Sequence, residues 1–281
     1  MKPIAAVLGL ALQLGAPAQQ PPRLASGKIE SHAASGSLAQ QIRGVAGPAW
    51  VGYTMAAVPG QRGCCMSINN GVCSYGCALE GGSMTGVSCP ANQGDNTVFL
   101  EGERSVNILF RVDQGEIERV RAFSPSCQLD ISNLTLHWLT GVQPSDSVAL
   151  LKTLITQRSN SALSAIAAHA DPAADAYLKE VAESQTAVRR DRERAAHSLA
   201  QSRGTAGMAI VTKLLESDPD EQFRASLPGA IAQAPGNAGT STLIDIATKD
   251  KSRKVREKAF FWLGRSTDIR AQKFVEEVLS K

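Results

Sequence analysis

Six cysteines are the residues of this chain best suited to chemistry: Cys64, Cys65, Cys73, Cys77, Cys89 and Cys127. All lie in the first half of its 281 residues. Thiols gathered in this way either cross-link or hold metal. Cys73-x-x-x-Cys77, with Cys64-Cys65 upstream, would offer four thiolates to zinc. The paired C-x-x-C knuckles of structural zinc sites are missing, however, and so is the single C-x-x-C of a redox thiol. Disulfides are therefore the main expectation, and six cysteines suit three of them. A bond between the neighbours Cys64 and Cys65 is strained, so each is expected to reach a different partner. Spacing alone does not choose the pairing.

The other reactive side chains are less organised. His32, His137, His169 and His197 include no pair at the i, i+4 spacing of a helical metal site, and they read as packed or surface residues. No nucleophile elbow, phosphate loop or dinucleotide fingerprint is present. Glu101 and Glu103 read as the wet face of a strand. Neither a catalytic group, a metal nor a cofactor is expected. Two basic runs stand out, Arg189-Arg190-Asp-Arg-Glu-Arg194 and Lys249 to Lys258. Each is interleaved with acids, which is the pattern of a solvated helix face. Their functional reading is an anionic partner, either an acidic protein or envelope lipid, met by Arg189, Arg190, Arg194, Lys251, Arg253 and Lys254. A net charge of +3 is too small to argue for nucleic acid.

Elements must position these residues. Lys2, the apolar run Ile4 to Leu14 and Ala16-Pro17-Ala18 read as a signal peptide over 1–18, which places the mature protein in the periplasm or outside the cell. No later run approaches membrane-spanning length. Residues 19–27 read as a linker. Residues 28–144 read as a cysteine-containing, β-rich domain with a short helix near Ser37 to Val45, capped by Ser35 or Ser37. Val106 to Val112 and Ile117 to Phe123 flank Asp113-Gln-Gly-Glu116, a hairpin signal. Their alternation predicts a sheet with one buried and one largely wet face. Thr97 to Leu100 and Leu134 to Leu139 are further strand candidates. Gly141 to Pro144 mark a boundary, after which Ser145 is expected to cap the first of a series of helices over 145–281.

The helical half repeats itself. Leu199, Ile231 and Leu263 fall 32 residues apart (231 − 199 = 32; 263 − 231 = 32), as do Arg192, Arg224 and Arg256, and Ala195, Leu227 and Ala259. Such a period marks stacked supersecondary units. A weaker first unit holds Ile166, Tyr177 and Val181. Pro228 is expected to kink or shorten its helix, and Asp191 stands where the second unit needs an apolar residue. The Thr-Pro-Leu-His of ankyrin repeats and the Trp, Leu-Gly and Tyr of tetratricopeptide repeats are absent.

Val255-Arg256-Glu-Lys-Ala259-Phe-Phe-Trp-Leu263-Gly264 resembles the Val-Arg-x-x-Ala-x-x-x-Leu-Gly signature of short HEAT repeats, the type named after phycobilisome lyases. Phe223-Arg224 opens a looser copy. The first half resembles the cysteine-bearing leader of exported bacterial HEAT-repeat proteins at Trp50-Val-Gly-Tyr53, Cys64-Cys65, Cys77-x-Leu-Glu80 and His137-Trp-Leu-Thr-Gly141. The resemblance implies an α+β chain in two parts: a disulfide-rich, mainly β domain, then an α-solenoid of about four HEAT-like helix pairs. The repeat array, together with the lack of a catalytic constellation, points to an exported, non-enzymatic protein-binding or scaffold role. The alternative is a lyase-like enzyme or enzyme subunit that attaches or handles a chromophore or cofactor.

Overall fold

The structure is a computed structural model that describes residues 20–59, 66–69, 72–75, 77–81, 104–155 and 161–280. The expected signal peptide, the strand at Thr97 to Leu100 and the carboxylates Glu101 and Glu103 lie outside the described residues. No helix among the described residues is long and apolar enough to cross a membrane.

A mixed sheet comes first. Strands β1 (Leu24–Ala33), β2 (Ala49–Ala56), β5 (Cys77–Ala78), β6 (Ser105–Asp113), β7 (Glu116–Phe123) and β8 (Leu129–Thr140) form it in the order β1-β8-β2-β6-β7, with β5 also on β8. The β1–β8 and β8–β2 pairings are parallel, whereas β2–β6 and β6–β7 are antiparallel. A separate two-stranded ribbon joins β3 (Met66–Asn69) to β4 (Val72–Tyr75). The expected hairpin is present, turning at Gln114 and Gly115, both of which take positive φ. The expected linker is shorter, because β1 already begins at Leu24 and pairs it with Leu129.

The wet face predicted for the hairpin is corrected on its first arm. Strand β6 lies between β2 and β7 and is buried from Val106 to Val112. Val106, Ile108, Phe110 and Val112 face one apolar cluster, while Leu109 faces another with Trp50, Leu136 and Trp138. Its polar residues find partners inside: Thr54 donates to Asn107 Oδ1 at 2.8 Å, and Arg111 meets Glu80.

The disulfide-rich domain is corrected as well. The three expected disulfides are not found as pairs among the described residues. Cys64, Cys65 and Cys89 lie outside the described residues, and Cys73 is seen as backbone in β4. Cys77 and Cys127 are nonetheless each disulfide-bonded, and both are buried in the cluster around Trp50 and Trp138. Packing contributes to the described sheet's cohesion: each fully buried Trp or Phe removes on the order of 150–250 Å² from water.

Helix α1 (Leu38–Arg43) follows β1 and is capped by Ser37, which accepts from Gln40 N. It packs Leu38 and Ile42 on the sheet. After β8 come α2 (Pro144–Thr153), α3 (Ser161–Ala168) and α4 (Pro172–Glu183). Gln143 stands at the N-cap of α2, and Pro144 rather than Ser145 opens it, as suits a residue with no N–H to satisfy. Val148 and Leu151 of α2, Ala165 and Ile166 of α3 and Ala174 of α4 share one core with Val51, Tyr53 and Ile108.

Three more helix pairs continue the chain: α5 (Arg189–Ser202) with α6 (Gly204–Ser217), α7 (Glu221–Ala232) with α8 (Thr240–Lys249), and α9 (Arg253–Leu263) with α10 (Ile269–Leu279). Helices α5, α7 and α9 stack in sequence. The residues spaced by 32 account for this. Ala195, Leu199, Leu227, Ile231, Ala259 and Leu263 are buried in a single cluster. Asp220 caps α7 and Ser252 caps α9, one repeat step apart (252 − 220 = 32), whereas Val188 gives α5 no side-chain cap. Asp191 is only partly buried, so the apolar slot it was assigned does not face the core fully. Pro228 is carried within α7 without ending it.

A second set of repeated residues sets how closely each pair packs. A Cβ on Gly207 would stand 2.0 Å from the Leu199 carbonyl oxygen, and one on Gly239 would stand 2.1 Å from that of Ile231. These glycines are also 32 apart (239 − 207 = 32), and they let the second helix start directly against the backbone of the first. Ala271 holds the corresponding place in the last pair and is fully buried.

Candidate functional site

The helix pairs present two edges with different chemistry. One edge gathers the N-termini of α5, α7 and α9, and it carries both basic runs. Asp220, at the start of α7, accepts from Arg189 Nε at 2.8 Å. Lys254 reaches Gln222 across the next step, and Ser252 Oγ donates to Glu221 Oε1 at 2.7 Å. The arginine holds the Asp220 carboxyl below the usual carboxylate range, with hydrogen bonds from Phe223 and Gln222 N–H acting the same way. Arg253 is paired with Glu257 at 2.7 Å on its own helix. Arg189, Arg190, Lys251 and Arg253 are exposed, and Arg194 and Lys254 are half-buried. The structure thus brings the two basic runs to either side of Asp220–Gln222, which their separation in sequence did not indicate. It also engages several of them with one another's neighbours, as expected for a solvated face.

The other edge carries the turns within the pairs, and three grooves run along it. The first, of about 460 Å³, lies between the α3–α4 and α5–α6 turns, with Asp175 and Arg203 on its wall. Arg203 Nε donates to Asp175 Oδ1 at 2.6 Å, and its other nitrogens donate to the carbonyls of Ala167 and His169, each at 2.8 Å. The second, of about 390 Å³, lies between the α5–α6 and α7–α8 turns, and Met208, Ala209, Ala234 and Pro235 give it an apolar wall. The third, of about 260 Å³, lies between the α7–α8 and α9–α10 turns beside Trp262. One groove per step follows directly from the repeat, because each turn stands beside its predecessor.

A serine–histidine pair unremarked in the sequence joins sheet to helices. His169 Nε2 is 2.8 Å from Ser147 Oγ, and Ser147 Oγ is 2.7 Å from Tyr53 Oη. His169 Nδ1 lies 2.7 Å from the Ala165 carbonyl, so that nitrogen carries the proton. Ser147 then donates to Nε2 and accepts from Tyr53. Ser147, His169 and Tyr53 are all fully buried. Every polar atom is satisfied and the pair has no approach from solvent, so it is a structural strut rather than a nucleophile and its base.

Burial lowers the pKa of His169, and Arg203 adds to the effect, whereas the Ala165 carbonyl and Asp171 oppose it. A histidine depressed in the folded state leaves the unfolded chain binding more protons, so stability falls with falling pH. The loss is expected to begin near pH 6.5, the value of an unshifted histidine, at up to about 1.4 kcal/mol per pH unit. It stops once the folded-state value is passed. Urea midpoints at pH 7.5, 6.5 and 5.5, for the native chain and for His169→Gln, test this. A variant as acid-sensitive as the native chain would assign the effect elsewhere.

Comparison with protein-family models and with curated proteins finds no match.

Proposed function

We propose that this chain is an exported, non-enzymatic scaffold that binds another protein along its stacked helix pairs, which are of the HEAT type. The row of three grooves along the turn edge carries the reading. A series of equivalent shallow grooves suits an extended segment of a partner, whose successive side chains would enter successive grooves. The mixed apolar and polar lining of the middle groove favours a peptide over a highly charged ligand. The basic edge is a second surface, suited to acidic residues of the same partner. Export rests on the N-terminal residues, and a mature mass corresponding to a chain that starts at Gln19 is the result expected of it.

Cross-linking capture in the native envelope, with purified native and substituted chains, tests the proposal. Ala209 is exposed on the wall of the middle groove, so Ala209→Arg fills it without disturbing the core. A saturable protein partner lost with Ala209→Arg is the expected result. A partner that survives Ala209→Arg but is lost on reversing Arg190 and Arg253 to Glu would move the site to the basic edge. Absence of any saturable partner would overturn the scaffold reading.

A further inference from the structure

The parallel pairing of β1 with β8 creates an arrangement that linear spacing hides. Glu30 lies opposite His137 and His32 opposite Leu139. Glu30 and His32 are two apart on β1, so they share a face. His137 alternates with the buried Leu136 and Trp138 on β8, so it projects from the opposite face to theirs, beside Glu30. Among the described residues, these three offer ligand atoms that all lie within 4.8 Å of one another.

We propose that Glu30, His32 and His137 form a binding site for a divalent transition-metal ion of the zinc type. His137 Nδ1 lies 3.3 Å from His32 Nε2 and 3.7 Å from Glu30 Oε2. An ion held at about 2.0–2.1 Å in tetrahedral geometry keeps its ligand atoms about 3.3–3.4 Å apart. The two imidazoles therefore already have the separation that a shared ion requires, and the carboxylate needs only a small side-chain adjustment. Without metal, the two ring nitrogens share one proton between two basic atoms, and the ion would displace it.

The surroundings suit this role. Lys28 Nζ engages the other carboxylate oxygen, Oε1, at 2.9 Å, which leaves Oε2 turned toward His137. Orienting contacts of this kind to a ligand's second atom are a regular part of metal sites. The ammonium also repels a cation, so the affinity is moderate rather than tight. Two imidazoles select zinc, copper or nickel over magnesium and calcium, which prefer all-oxygen shells. His32 is exposed, so the fourth position is open to water. The site also lies on an edge strand, and an ion there would tie β1 to β8 by side chains as well as by the backbone ladder.

Titration of the full chain with Zn2+ by calorimetry, and with Co2+ followed by visible absorption, tests the site. The expected result is one saturable equivalent of Zn2+, with Co2+ bands of a low-coordinate nitrogen and oxygen site. His137→Ala and His32→Ala are each expected to weaken binding by about tenfold or more, and Mg2+ is expected not to compete. His32 is exposed, so His32→Ala keeps the test valid even if His137→Ala fails to fold. No saturable Zn2+ binding, or binding unchanged in His32→Ala, would overturn the proposal. Cobalt bands typical of thiolate ligation would do the same, by assigning the ion to cysteines.

Discussion

Asp218→Ala is expected to lower the free energy of unfolding by about 3–5 kcal/mol. Arg192 of α5 and Asp218, just after α6, form an ion pair whose side chains are 3% and 1% exposed. The guanidinium also lies over the Phe223 ring at 3.9 Å and donates from Nε to the Ala182 carbonyl at 3.2 Å. Asp218 takes two further donors, Gln185 Nε2 at 3.1 Å and Asp220 N at 2.9 Å. Removing the carboxylate strands a buried cation, which costs far more than the intact pair contributes. Replacing both partners removes the stranded charge. The double variant Arg192→Met/Asp218→Asn is therefore expected to recover much of the loss. Urea unfolding of Arg192→Met, Asp218→Asn and the double variant, beside the native chain, forms the cycle. Additive losses would show that the two side chains do not act together. Arg224, one repeat step on (192 + 32 = 224), is also buried, yet its Nε has no hydrogen-bond partner.

Glu80→Ala is expected to cost about 3 kcal/mol or more, and to disturb the emission of Trp50. A single oxygen, Glu80 Oε1, accepts from Trp50 Nε1 at 2.8 Å, Arg111 Nε at 2.8 Å and Arg119 Nη2 at 3.2 Å. Arg119 in turn lies over the Trp50 ring at 5.5 Å. Arg111 is a central-strand residue with a side chain only 10% exposed, so the loss of Glu80 leaves its charge and the indole N–H unpaired together. Arg119 is more open to water and adds little. Glu80→Gln retains an acceptor for the indole but not the negative charge, and an intermediate loss is expected. A Glu80→Ala chain as stable as the native one would show that solvent replaces the carboxylate.

Much of the helical half is legible because its contacts are local. The apolar positions spaced by 32 are buried, and their burial needs no information beyond neighbouring units. Gly207 and Gly239 carry the same period and could have been found with it, but glycine has no side chain to draw a periodicity search. The sheet is harder to read, because its partners are distant. Asn107 and Arg111 signal water in a strand taken alone, yet Thr54 and Glu80 meet them inside the sheet, with Asn107 Nδ2 left without a partner. His32 and His137 look isolated until β1 and β8 lie side by side. Glu80 belongs to a short motif around Cys77 that the sequence does reveal, although its role as the shared acceptor of Trp50, Arg111 and Arg119 does not follow from that motif. The cysteines invite a covalent account of the same region, and Cys77 and Cys127, both disulfide-bonded, also pack in the described core among tryptophan, leucine and isoleucine.

The strand order has a consequence for how the chain comes together. Strand β8 lies between β1 and β2, and Leu24 finds its partner at Leu129, 105 residues on (129 − 24 = 105). A polypeptide that ends before Leu129 leaves its first two strands with no neighbour in common. Until β8 is made, the earlier strands are held only by the β2–β6–β7 meander, and β1 is unattached to it. The helix pairs behind it close over short distances and are expected to form quickly, with closure of the parallel ladder as the slow step. The last strand made fixes the register of the first.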